Sequence, residues 1–147
     1  MSKALAMLSA RLLEAEDKAA KMLAYSQQEE AKFQRQLNAL NEYREVYSSQ
    51  LLEKGVQGLD SSDFNHYHTF INKLDHASVQ QQQGFQKAKQ DTIRKREEWL
   101  ALQQRRKALE KLLEKKAEKE ALRLAKQEQK LLDEFATFRF FHQAKTE

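Results

Sequence analysis

No residue of this chain is a proline, and two of its three glycines, Gly55 and Gly58, fall inside one short stretch, Leu51–Asp63 (LLEKGVQGLDSSD). Proline is the residue a helix interior tolerates least and glycine the next. Their distribution therefore allows one break, with helix on either side of it. Glycine takes positive φ without a Cβ penalty, so Gly55 and Gly58 are places where a helix can stop. Asp60, Ser61 and Ser62 can start the next helix by accepting hydrogen bonds from its free N–H groups. Asp63 adds negative charge where the helix dipole favours it. A stop followed within a few residues by a start predicts a helical hairpin.

The rest of the composition agrees. Valine occurs only at Val46, Val56 and Val79, and isoleucine only at Ile71 and Ile93, so the usual strand formers are nearly absent. A third of the residues are charged, and mean hydropathy is −0.87. That favours a thin seam between two helices over a thick globular core. The expected fold is all-α: one elongated antiparallel coiled-coil hairpin, with helix 1 over about 3–54, a turn over about 55–61 and helix 2 over about 62–142. There is no cysteine, hence no disulfide framework or thiolate chemistry. No apolar run approaches the ~20 residues of a membrane span. The opening residues MSKALAMLSARLLEAED carry charges within an apolar stripe, unlike the core of a signal peptide. The expectation is a soluble intracellular protein.

In helix 1, steps of three and four join Leu5, Leu8, Leu12, Ala15, Ala19 and Met22, then Phe33, Leu37, Leu40, Tyr43 or Arg44, Tyr47 and Leu51. A polar gap at Ser26 and Glu29 separates the two runs. Such a stripe suits one partner helix. Helix 2 carries Phe64, Tyr67, Ile71, Leu74, Ser78, Gln81, Phe85, Ala88 and Thr92, then Trp99, Leu102, Arg106, Leu109 and Leu113 at strict heptad spacing. Folding about residue 58 pairs residue i with about 116 − i. The Gln80–Gln83 run then lies near the polar part of helix 1, and Leu5 lies near Lys111.

By this pairing helix 1 is used up near Leu113, leaving an unpaired arm over about 114–142. The apolar stripe nevertheless continues, shifted in register, through Ala117, Ala121, Leu124, Leu131, Phe135 and Phe138. A lone helix gains nothing from such a stripe, so a partner protein is expected to cover it. Between Arg94 and Lys130 thirteen Lys or Arg stand against seven Glu, which concentrates the chain's basic excess there.

No residue set points to catalysis. His66 and His68 are two apart and diverge on a helix, and with His76 they read as solvated surface rather than as metal ligands. No glycine-rich phosphate loop is present. The basic clusters at 94–96, 105–107 and 115–116 are interleaved with glutamate and lack base-stacking or groove-reading motifs, so nucleic acid is not the expected partner. No cofactor or metal is expected, and the chain is not expected to be an enzyme. The tip aromatics Tyr43, Tyr47, Phe64, Tyr67 and Phe70 read as hairpin core or as a binding patch. Tyr43, Tyr47, Phe70 and Leu74 are the candidates for exposure.

The order Gln36-Leu37, Leu40, Glu42-Tyr43 and Tyr47, then the glycine-containing tip, then Tyr67, Phe70-Ile71 and Leu74, resembles the FliJ family of flagellar export proteins. Trp99 before Leu109 and Leu113 adds to the likeness, as does Lys130-Leu131-Leu132-Asp133-Glu134-Phe135, similar to the family's late K-x-x-D-E-F pattern. The resemblance covers nearly the whole chain. It implies a non-catalytic stalk of the flagellar type III export apparatus, an antiparallel coiled coil similar to the γ stalk of rotary ATP synthases. It further implies three partners: the ring of the export ATPase FliI, the export gate FlhA and flagellar substrate chaperones. Localisation would be cytoplasmic, peripheral to the inner membrane. Carried over by position, the gate-binding patch would be Gln36, Leu40, Tyr43, Tyr47, Phe70, Leu74 and Ala77, with Gln81 standing where the family pattern has histidine. On the physical reading of the uncovered, basic arm beside this, the ATPase-binding surface would be Leu5, Leu8, Arg105, Arg106, Lys107, Leu124, Leu131, Phe135 and Phe138.

Three alternatives share these features. One is the equivalent stalk of a non-flagellar type III system, and the second a coiled-coil holdase chaperone. The third is a homodimer in which two arms cover each other, against the expected monomer.

Overall fold

The computed structural model describes residues 2–58 and 60–146. It holds two α-helices, α1 (Ser2–Val56) and α2 (Ser61–Thr146), and no strand among the described residues. The all-α fold with a longer second helix follows from the residue content: strong helix formers throughout, no proline, and a single pair of close glycines. Both helices exceed the expected bounds. α1 runs on to Val56, and α2 continues past 142 to Thr146.

The turn is accordingly tighter than expected, and its two glycines differ in role. Gly55 lies inside α1, while Gly58 takes φ 88° and ends it. The Gly58 N–H donates to the Gly55 carbonyl at 3.4 Å, and the Phe64 N–H donates to the Asp60 carbonyl at 3.0 Å, the first rung of α2. Asp63 supplies the acidic residue of that first turn. Nothing lies within 4 Å of a Cβ built on either glycine, so backbone conformation alone decides the effect of substitution. Gly58→Ala is expected to cost roughly 1–2 kcal/mol, because it forces an L-residue into the left-handed region. Gly55→Ala is expected to stabilise by up to about 1 kcal/mol, through the lost flexibility of a helical glycine. Urea midpoints of the two variants should move in opposite directions.

The chain divides into two compact units. The first is Ala15–Ala101, the hairpin proper. Its core is thin: Leu23, Leu37, Ile71 and Leu74 are the buried apolar side chains, beside buried Glu16, Ser26 and Thr92. Three contacts place residue i against 117 − i: Ser26 Oγ donates to Asp91 Oδ2 at 3.3 Å, Phe33 packs on Gly84, and Gln81 hydrogen-bonds Gln36. The pairing is antiparallel and one residue from the expected register. The second unit joins Met1–Glu14 to Leu102–Glu147. Leu5, Ser9 and Leu12 of α1 and Leu102, Arg106, Leu109 and Leu113 of α2 are half-buried there. From Glu114 to Ala144 every side chain is exposed.

The seam of α2 follows the heptads read from sequence, with Phe64 left exposed at its start. The seam of α1 follows the reading at Leu5, Leu12, Ala15 and Ala19 and from Phe33 through Leu37, Leu40, Tyr47 and Leu51, but departs from it elsewhere. Leu8 and Met22, both taken as seam positions, are exposed. The buried or half-buried series passes instead through Leu5, Ser9, Leu12, Glu16, Ala19, Leu23, Ser26, Glu30 and Phe33 in strict alternate steps. Nor is there a gap at Ser26, which is only 5% exposed. Two helices cover only a narrow strip of each other, so small and polar side chains serve as seam residues when they fall on it, and apolar neighbours one position away do not. Thr92 is satisfied by donating to the Ala88 carbonyl at 3.0 Å.

Candidate interaction surfaces

Near the turn, α1 and α2 bring four aromatic rings to one level. Tyr47 is half-buried, with its ring centroid 4.5 Å from Phe70 and 6.2 Å from Tyr67. Phe70 stays exposed because its helical neighbour Ile71 takes the buried position. Two helices cannot bury two adjacent residues of one helix. Tyr43, four residues before Tyr47, is exposed as well. Leu74 is buried, so it supports this patch from beneath and is not part of the exposed surface expected of it. Leu40 and Ala77 are half-buried at the seam's edge, and Gln36 is exposed and held by Gln81.

Two polar bridges cross the hairpin here that periodicity did not single out. Arg44 pairs with Asp75 through Nε and Oδ1. The hydrogen bond, and then the carboxylate's charge, raises the guanidinium pKa further. Lys54 Nζ donates to Tyr67 Oη at 2.6 Å, and that bond raises the ammonium pKa. The ammonium thus sits at the hydroxyl end of the ring. Both bridges are solvent-exposed, so they order side chains more than they stabilise the fold. Leu52 and Val56 are also exposed, off the seam on the last turns of α1. Their signal was present in the sequence as apolar residues one and five positions after seam residue Leu51.

The second surface lies in the other unit. Leu124, Leu131, Phe135 and Phe138 are exposed, as are Leu132, Phe140 and Phe141. Arg139 lies 5.9 Å from the Phe135 ring centroid, and Phe138 stacks on His142 at 5.6 Å. Lys115, Lys119, Arg123, Lys126 and Lys130 follow one another by three or four residues, two positions after the apolar series begun at Leu113 and Ala117. That offset is about 200° around a helix, so the arm has an apolar face and a basic face on opposite sides. Arg123 bonds Glu120 at 2.6 Å, and this contact lowers the Glu120 pKa by hydrogen bonding first and charge second.

At the base of the arm, Leu5 is half-buried while Leu8, Arg105 and Lys107 are exposed. Arg106 differs from its two basic neighbours. Its side chain is only 17% exposed and pairs with Glu110 at 2.9 Å. It is a seam residue, and only Arg105 and Lys107 of this cluster are free-standing surface charge. No helix is long and apolar enough to cross a membrane, and no group of three His, Cys, Asp or Glu is placed to hold a metal ion, among the described residues.

No curated protein and no solved structure matches the chain. The model of one protein family does, that of the flagellar FliJ protein, over residues 1–145. A two-helix fold with the second helix longer, joined by a glycine turn, and matched to that family from the first residue almost to the last, makes this chain a member of the FliJ family.

Proposed function

We propose, from its membership of the FliJ family, that the chain serves the flagellar protein export apparatus as a non-catalytic component. Within that role we propose that it is a stalk whose arm binds the ring of the export ATPase and promotes its assembly, whose aromatic patch binds the export gate, and which also engages substrate chaperones. One observation carries this reading: beyond Leu113 about thirty residues of α2 keep an apolar stripe with every side chain exposed. A helix whose side chains are all exposed and still keep helical apolar spacing is shaped for another protein. The aromatic patch supports a second contact, since exposed Tyr and Phe on a rigid element bring large contact area at small entropic cost.

The two contacts are separable. Tyr43→Ala with Phe70→Ala is expected to weaken gate binding at least tenfold and to leave ATPase association within twofold, as measured by titration against the purified gate fragment and ATPase. Leu74→Ala would not be informative, because Leu74 is buried. Arg105→Glu with Lys107→Glu is expected to weaken ATPase association with a reduced dependence on salt, because exposed charges act through a screened field. Arg106 is left unchanged in that experiment, since reversal there disturbs the seam. Equal losses of both partners from either double variant would contradict separate surfaces. The same apolar arm also fits a stalk of a non-flagellar secretion system, and the family match favours the flagellar one.

A further inference from the structure

Away from the aromatic patch and the arm, the hairpin unit has an open groove along one side of the helix pair. Two adjoining hollows form it, of about 690 and 420 Å³, and they share Tyr25, Ser26 and Asp91. One runs on to Phe33 and Gly84, the other to Lys18, Met22 and Lys95. Gly84 creates the deeper part. A Cβ there would stand 2.6 Å from Phe33 Cε1, so the Phe33 ring lies flat against bare backbone of α2 instead of being pushed outward. Tyr25 rises at the middle of the groove with 65% of its surface exposed, and Met22 one turn earlier is exposed too.

The charges around these apolar residues have one dominant sign. Asp91 is neutralised by Arg94 at 2.5 Å and accepts the hydrogen bond from Ser26. Lys18, Lys21, Lys87 and Lys95 line the same groove, and none has an ion-pair partner among the described residues. Glu29 is the one further acid of the lining. We propose that this groove docks an acidic amphipathic helix of a partner protein. Apolar side chains of that helix at i, i+3 or i+4 and i+7 lie on Met22, Tyr25 and Phe33, and its carboxylates meet the four lysines. From Lys18 to Phe33 the groove is about 24 Å long at 1.5 Å per residue, enough for four turns. A second copy of this chain is a poorer occupant, because its net charge of +4 has the same sign as the lysine rim.

The probe is a designed twenty-residue helical peptide with a leucine stripe flanked by glutamates, fluorescently labelled and titrated into the full-length protein by anisotropy. A peptide with lysines replacing the glutamates, a twenty-nucleotide single-stranded DNA and vesicles of anionic lipid serve as competitors. Binding of the acidic peptide is expected, weakened at least tenfold by Lys21→Glu with Lys95→Glu and by Tyr25→Ala, and unchanged by Lys89→Glu, which does not line the groove. Lys21, Tyr25 and Lys89 are exposed, whereas Lys95 is half-buried at the groove rim; circular dichroism should show the parent's helicity and melting for Tyr25→Ala, which carries the test should the Lys95 change lower the melting point. Tyr43→Ala with Phe70→Ala should leave this binding intact. No binding of the acidic peptide, equal binding of the basic one, stronger binding of DNA or vesicles, or indifference to the Lys21, Lys95 and Tyr25 changes would overturn the proposal.

Discussion

Leu131→Asp with Phe135→Asp is expected to abolish association with the export ATPase while leaving the melting curve of the protein unchanged. Both side chains are more than half exposed, and Phe135 has the Arg139 guanidinium beside its ring at 5.9 Å. Their removal therefore takes little from the folded state, and exposed substitutions of this kind stay within about 0.5 kcal/mol. In a complex the same side chains would be the centre of the apolar stripe, where truncating an anchor costs 2 kcal/mol or more. Two such losses correspond to roughly a thousandfold in affinity, and aspartate adds the cost of an unpaired charge against the partner. Sedimentation or titration with purified ATPase, beside a thermal melt, gives both readouts. A large drop in melting temperature would show that the arm is packed in solution, and unaltered association would remove the arm from the proposed contact.

The second large effect belongs to the hairpin core. Leu37→Ala is expected to destabilise by about 2–4 kcal/mol. Leu37 is 6% exposed and is one of four buried apolar side chains among the described residues of its unit. A thick core can shift neighbours into a void, whereas a two-helix seam has no second layer to move in. Against a total stability on the order of 5–15 kcal/mol, this is a sizeable fraction, and urea unfolding should show an earlier midpoint at similar slope. Leu52→Ala, at 73% exposed, is the matched control with an expected change near zero. Equal effects of the two would mean that the seam residues are wrongly assigned.

Much of this architecture is written plainly in the residues, and the misreadings have identifiable causes. Along α2 the strict spacing from Phe64 to Leu113 marks the seam even where its members are Ser78, Gln81, Thr92 and Arg106. The α2 stripe was legible because apolar residues anchor both of its ends. In α1 the same geometry passes through Ser9, Glu16 and Ser26, while Leu8 and Met22 sit one position away. Hydrophobicity points to the neighbours, and only continuous phase points to the seam. Gly55 and Gly58 are equivalent as letters, and only one takes positive φ, because the hydrogen bond from Gly58 to Gly55 closes the last turn. Of the aromatic patch, Phe70 was legible from its adjacency to Ile71. The burial of Leu74 was equally available from the heptad that contains it. The lysine-rimmed groove was not legible, because it depends on Phe33 meeting Gly84 across the hairpin.

The contacts at Ser26 with Asp91, Phe33 with Gly84 and Gln36 with Gln81 all index to one alignment. A pair of leucine zippers is nearly periodic, and sliding one strand by a heptad exchanges leucine for leucine at small cost. Here the same slip would carry Phe33 onto a residue with a side chain and separate both polar partners. These three sites work as the teeth of a ruler. They give up some adhesion for a fixed zero mark, so that the alignment of the whole Ala15–Ala101 unit is set at three levels within it. Replacing Gly84 with leucine should lower the melting point and blur the alignment, because its Cβ would meet the Phe33 ring.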